Sequence, residues 1–324
     1  MSVPGWMWVA VIAGLLAVVV FDLWITERDP REFSIRQAGF WVSVYASLAV
    51  LFGVWLTFWA GIEPGAEFFA GYITEYSLSV DNLFVFYIIM SRFRVPRIYQ
   101  HKVLLVGIVL ALVMRGAFIA IGAAALAHFS WLFYVFGAFL LYTAYTLIRD
   151  HNKEEEEEFK ENILLRWARR VFPTTEDYVG ARITVRVDGR RMVTPMLIVM
   201  IAIGTTDLLF ALDSIPAIFG LTKDPFIVFS ANAFALMGLC QLHFLLGGLL
   251  QRLVYLSYGL SVVLAFIGVK LILEALHESG FSWAPEVPIW LSLSVIAVTL
   301  TVTTVASVIK ARNLEKAHTA SKTS

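Results

Sequence analysis

Two short stretches of this chain carry nearly the same polar residues inside long apolar runs. Thr74-Glu75-Tyr76-Ser77-Leu78-Ser79-Val80-Asp81-Asn82 is the first, and Thr206-Asp207-Leu208-Leu209-Phe210-Ala211-Leu212-Asp213-Ser214 is the second. Each reads Thr, acid, a second acid six positions on, then a small polar residue. A charged side chain near the bilayer centre costs roughly 3 kcal/mol on insertion scales. Four carboxylates in two matched apolar segments therefore point to a polar site, for a cation, at the interface of two structural repeats. Glu75, Asp81, Asp207 and Asp213 are the candidate ligands, and Asn82 and Ser214 are secondary ones. Asp, Glu, Asn and Ser supply oxygen, which suits Mn²⁺, Mg²⁺ and Ca²⁺ better than Cu⁺ or Zn²⁺.

Helix geometry limits how these groups meet. Six positions turn a regular helix through about 600°, so the two acids of one segment point roughly 120° apart. Glu75, Ser79 and Asn82 share a face better. Pro216 distorts the second segment: it has no N–H, so the Leu212 carbonyl beside Asp213 loses its usual partner. The first segment has no matching proline. A carboxylate kept from water disfavours its charged form, so proton and metal can compete for one site, the simplest basis for antiport.

The elements that must hold these residues are transmembrane helices. Of 324 residues, 59% are hydrophobic and only 15% charged, and the mean hydropathy is +0.76. That composition belongs to a polytopic, all-α integral membrane protein. Nine apolar segments stand out, over 6–25, 39–60, 67–91, 103–127, 131–148, 195–220, 226–248, 254–274 and 288–309. Most approach the roughly 20 residues needed to cross the hydrocarbon. No Lys or Arg precedes Arg28, so the first run is expected to be a retained span rather than a cleaved signal. The formal net charge is zero and there is no basic domain to bind nucleic acid. The single cysteine, Cys240, excludes an intramolecular disulfide and a Cys-rich metal motif.

With the N-terminus outside and the C-terminus in the cytoplasm, 22 of the 25 Lys and Arg residues fall in inner loops and only Lys223 in an outer one. Arg115 and Lys270 lie within spans. This asymmetry is the positive-inside pattern. Spans three and six, which carry the acids, then run in opposite directions, so spans three to five and six to eight form a 3+3 inverted repeat. Aromatic residues opening span five, Trp131 to Tyr134, and span eight, Tyr255 to Tyr258, add to the match, although such belts recur at any membrane interface. The chain divides into two N-terminal spans (1–60), the first repeat (61–148), a loop (149–194), the second repeat (195–275), and a last span with a cytoplasmic tail (276–324).

Glu75-Tyr76-Ser77-Leu78-Ser79-Val80-Asp81-Asn82-Leu83-Phe84-Val85-Phe86 resembles the first signature of the TerC family, and Phe210-Ala211-Leu212-Asp213-Ser214-Ile215-Pro216-Ala217 the second. Asp224 to Ser230 and Gly268-Val269-Lys270 are also similar to family segments. The similarity covers residues 15–275. It implies a bacterial inner-membrane protein of the TerC/Alx type, linked to manganese export and tellurite resistance, with span carboxylates handling the metal; among the oxygen-seeking ions it favours Mn²⁺. The chain departs from the pattern at Gly204, where many members carry Glu, and at Cys240, where many carry Arg.

Other readings of the same residues stay open. Glu75 and Asp81 can instead pair with Arg115 as internal salt bridges, and Arg115 can be a counter-ion or a gate. Asn82, Ser214 and Asn232 either touch the substrate path or bond neighbouring helices. Cys240 and His243 share a helical face, as packing residues or a soft-metal pair. Asp22 and Glu67 are expected to snorkel at span ends, and Lys270 and Glu274 to form an i,i+4 pair near the inner end of span eight. In the loop, Glu154 to Glu158 reads as solvated, 163–172 as a basic amphipathic stretch on the inner leaflet, and 182–193 as a β-hairpin turning at Asp188-Gly189. The function expected is export of a divalent cation, Mn²⁺, with protons as the counter-ion, no prosthetic group and the lipid bilayer as surroundings. A non-transporting scaffold docking partners through 149–194 is the rival. An intramembrane aspartyl hydrolase would need a Gly-x-Gly-Asp signature that is missing, and four acids would repel a tellurite anion.

Overall fold

The computed structural model describes residues 3–28, 34–129, 131–151, 178–180, 182–187, 190–246, 255–281 and 283–323. Five helices come first: α1 (Gly5–Arg28), α2 (Ile35–Ala60), α3 (Ile62–Arg92), α4 (Arg97–His128) and α5 (Leu132–His151). A two-stranded hairpin follows, β1 (Thr184–Val187) and β2 (Arg190–Val193). Then come α6 (Pro195–Phe219), α7 (Pro225–Met237), α8 (Leu239–Leu246), α9 (Leu256–Glu278) and α10 (Ile289–Thr323). Among the described residues, nine spans are long and apolar enough to cross a membrane, as expected; α7 and α8 together make the seventh, Pro225–Leu245.

Local chemistry sets the helix ends. Ser34 and Gln37 form a reciprocal capping box at the start of α2. Pro195 and Pro225 occupy first turns, where a missing N–H costs nothing. Asp224 Oδ1 accepts the Phe226 N–H at 2.9 Å, capping α7. Gly61, at φ +113°, turns the chain between α2 and α3. The hairpin pairs antiparallel with Thr184 opposite Val193 and Val187 opposite Arg190, as the alternating pattern predicts. Its turn residues, the Glu154 to Glu158 run and the 163–172 stretch lie outside the described residues.

Span seven is the centre of the bundle. Of its window, 78% is buried within the protein, against 17–22% for spans one, two, five and nine, which form the perimeter and leave their apolar faces for lipid. The packing pairs are α3 with span seven, α6 with α4, and α5 with α9. Exchanging spans three to five for six to eight maps this set of pairs onto itself. The close contacts follow the same exchange. A Cβ on Gly71 would lie 3.2 Å from the Ala231 Cβ, and a Cβ on Gly107 would lie 2.7 Å from Ile203 Cγ2. Gly71 and Ile203 are 132 positions apart, the same offset as Glu75 and Asp207, while Gly107 and Ala231 are 124 apart, so the exchange holds helix for helix and not residue for residue. At the α5–α9 crossing, a Cβ on Gly137 would lie 2.8 Å from the Gly268 carbonyl oxygen, and one on Gly268 2.9 Å from that of Gly137. Small residues here let the two backbones touch.

Candidate functional site

Glu75 on α3 and Asp207 on α6 converge on one guanidinium. Arg115, on α4, donates from Nη1 to Glu75 Oε1. It also forks onto Asp207, from Nε to Oδ2 at 3.1 Å and from Nη2 to Oδ1 at 3.3 Å. Ser214 Oγ accepts a further bond from Nη1 at 3.1 Å. Arg115, Glu75, Asp207 and Ser214 are each 2% exposed or less. Ser214 joins because seven positions on a helix return to nearly the same face as Asp207. Charges this dry persist only when paired and hydrogen-bonded. Of the two roles open to Arg115, the geometry puts it in that of counter-ion to Glu75 and Asp207.

Asp213 is directed elsewhere. Its Oδ1 accepts from Thr143 Oγ1, on α5, at 3.3 Å, and it is only half-buried. The separation follows from the roughly 120° between positions six apart. Asp81 lies on α3, but its side chain is outside the described residues. Asn82 and Asn232 are both buried; among the described residues neither amide atom of Asn232 finds a hydrogen-bond partner. Glu75 Oε2, Thr74 Oγ1 and Ser79 Oγ are likewise buried without one. Buried polar atoms are nearly always satisfied, so this set is unusual. Among the described residues, no three His, Cys, Asp or Glu side chains are placed to hold a metal together.

Thr143 was not among the residues singled out from sequence. A lone hydroxyl in an apolar span is ordinarily satisfied by its own helix, so nothing marks it as an acid's partner. Glu67 is half-exposed near its span end and also accepts from Thr222 Oγ1 at 2.6 Å. Two expectations need correction. Asp22 does not snorkel: it is 8% exposed and accepts from Gln241 Nε2 at 3.0 Å. Lys270 and Glu274 sit at the opposite end of span eight from that expected. Glu274 pairs there with Lys223 at 2.7 Å, because α9 starts beside the hairpin end and finishes beside the α6–α7 turn. At the two departures from the family pattern, Leu110 Cδ2 would stand 2.5 Å from a Cβ on Gly204, and Cys240 is buried. His243 is buried too, with its ring edge-on to Phe244.

A family model described as "Integral membrane protein TerC family" matches residues 60–315. An uncharacterized membrane protein of Mycobacterium tuberculosis (strain H37Rv) is 45% identical over 322 residues, covering 96% of this chain and 81% of the relative. One from Myxococcus xanthus is 44% identical, covering 96% and 94%. A protein of Escherichia coli (strain K12) named "Putative membrane-bound redox modulator Alx" is 37% identical, covering 88% of each chain. No solved structure matches. A match over most of the length, through both acidic segments, makes this chain a multi-pass member of the TerC family of integral membrane proteins.

Proposed function

We propose that this chain exports a divalent cation, Mn²⁺ in preference, from the cytoplasm, through a site of paired carboxylates between two inverted repeats, with protons as the counter-ion. The observation that carries the reading is the convergence of Glu75 and Asp207 on Arg115. Two acids 132 positions apart, each from one matched segment, share a single buried cation. In this state the guanidinium stands where a metal ion would balance the same charges. Binding the ion then requires Arg115 to withdraw, leaving Glu75, Asp207 and the unpartnered oxygens of Ser79 and Thr74 as hard ligands. Asp81 and Asp213 mark the next positions along the same two helices. The exchange symmetry of the packing pairs supports the repeat, and a midplane site between inverted repeats is how many transporters alternate access.

The excess of basic residues at the hairpin end supports a cytoplasmic C-terminus and an outer α6–α7 turn, in the plasma (inner) membrane. The name given to the Escherichia coli relative raises a redox role. This chain has one cysteine, buried, so a dithiol couple cannot form within it.

Mn²⁺ flux into liposomes bearing the purified protein tests the proposal. Wild type is expected to move Mn²⁺, and Glu75→Gln/Asp207→Asn and Asp81→Asn/Asp213→Asn to lose that flux. Wild type that binds Mn²⁺ but moves none, under several pH gradients, would establish the scaffold instead.

A further inference from the structure

The turn between α3 and α4 carries three arginines, and the segment leading into the hairpin carries two more beside it. Arg92, Arg94, Arg97, Arg182 and Arg186 are all exposed, and none bonds to a described acid. The sequence has no Asp or Glu from Leu83 to Arg149, and only Asp188 from Tyr178 to Thr206. The two segments are tied together. Tyr178 Oη donates to the Phe93 carbonyl at 2.8 Å, and a Cβ on Gly180 would stand 3.9 Å from Tyr99 Oη. Thr194 Oγ1 donates to the Arg182 carbonyl at 2.6 Å, fixing the segment to the start of α6. The α3 span ends at Arg92 and the α4 span begins at Arg97, so this rim lies where the chain leaves the hydrocarbon. Ile98, Val179 and Ile183 are exposed among the arginines. Arg94 stands against the local backbone preference. The Val95 N–H bonds to the Met90 carbonyl at 2.9 Å and the Arg94 N–H to that of Ser91 at 3.0 Å, the Schellman closure of a helix end. That closure holds Arg94 at φ +50°, in the left-handed region where glycine is favoured.

We propose that this rim is a docking surface for anionic phospholipid headgroups of the inner leaflet, with the arginines on the phosphates and Ile98, Val179 and Ile183 toward the acyl boundary. A guanidinium fork matches phosphate oxygens in pairs, and five of them stand here without a protein counter-charge. Basic and apolar side chains interleaved on one surface are what a layer of anionic headgroups accommodates. An acidic soluble protein would meet the charges but leave the three apolar side chains in water, and headgroup phosphates already lie at the depth of the span ends. The surface draws on both triplets: the α3–α4 turn belongs to the first, and the hairpin enters the second through α6. Headgroups bound across it therefore hold the inner ends of the two triplets together. Only the choice of leaflet is taken from the proposed topology, and lipid selectivity can be measured without transport.

The test is the association of spin-labelled lipids with the full chain in phosphatidylcholine vesicles, read as the motionally restricted fraction of the resonance spectrum. A phosphatidylglycerol probe is expected to be enriched at the protein several-fold over a phosphatidylcholine probe, and less so at high salt. Replacing all five arginines with Gln should bring the ratio close to one. Arg182→Gln/Arg186→Gln, which leaves the turn intact, should lower it part of the way. Arg94→Gly separates binding from folding: it should raise the thermal unfolding midpoint, because the turn favours glycine, while lowering the ratio. Arg94→Lys should keep most of the selectivity. Equal association of the two probes with wild type would overturn the proposal. So would a ratio that none of the arginine substitutions changes. Mn²⁺ flux absent with lipid selectivity intact would sink only the transport reading.

Discussion

Arg115 grips Asp207 with two parallel hydrogen bonds, at 3.1 and 3.3 Å, while the same guanidinium reaches Glu75. Removing the arginine leaves two buried carboxylates without a counter-charge. Breaking a buried pair in this way costs about 3–5 kcal/mol. Arg115→Met is therefore expected to lower the thermal unfolding midpoint strongly in detergent. Arg115→Lys, which keeps the charge and loses the planar fork, should fall between. The triple variant Glu75→Gln/Asp207→Asn/Arg115→Met should recover much of the loss, since no unpaired charge remains. Recovery is the decisive readout: its absence would mean that Arg115 supports the fold by packing.

Asp213 offers the contrasting case. Its described partner is one hydroxyl at 3.3 Å, and it is half-buried. An Asn keeps an acceptor oxygen for Thr143, so the substitution exchanges a charged hydrogen bond for a neutral one, a difference of about 1 kcal/mol. Asp213→Asn should hardly change the unfolding midpoint, while Mn²⁺ flux falls. A large drop in stability without loss of flux would assign Asp213 to the scaffold.

The lone cysteine makes orientation directly testable. Cys240 is buried, so the native chain should not react with a membrane-impermeant maleimide on intact cells. In a Cys240→Ser background, Lys223→Cys should label from outside and Arg186→Cys only after permeabilisation. Both side chains are exposed, Lys223 by 49%. The reverse labelling pattern would invert the topology and turn the proposed exporter into an importer.

The glycine crossing can be probed with a control built into the same molecule. A side chain on Gly268 meets the Gly137 carbonyl oxygen, a backbone atom that cannot rotate away. Gly268→Val should push α5 from α9, and overpacking of this sort costs about 1–3 kcal/mol. Gly14→Val, where nothing lies within 4 Å of the added Cβ, should be close to neutral by the same thermal assay.

The spans and the hairpin are legible in the sequence because each rests on a local regularity. Twenty apolar residues make a helix in lipid wherever they fall, and alternation around Asp188-Gly189 makes a hairpin. The angular split between the acids six apart was also readable, and it explains why Asp207 and Asp213 face different helices. Which helix each acid faces was not. Arg115 lies 40 positions from Glu75 and 92 from Asp207, and no periodicity links them. Asp22 misled for a related reason. Its place near a span end implied water, but Gln241, 219 positions away, provides the partner. Lys270 and Glu274 were readable as neighbours on one helix, yet their end of the bundle follows only from counting crossings.

The Gly137–Gly268 contact also bears on how the two halves can shift against each other. Interdigitated side chains lock helices in register, since moving one means lifting every knob from its hole. Here two backbones touch, and Ile272 over Gly137 with Leu140 and Leu141 over Gly268 close round the contact. The point therefore resists sliding as well as separation, so a shift between the halves would carry α5 and α9 together.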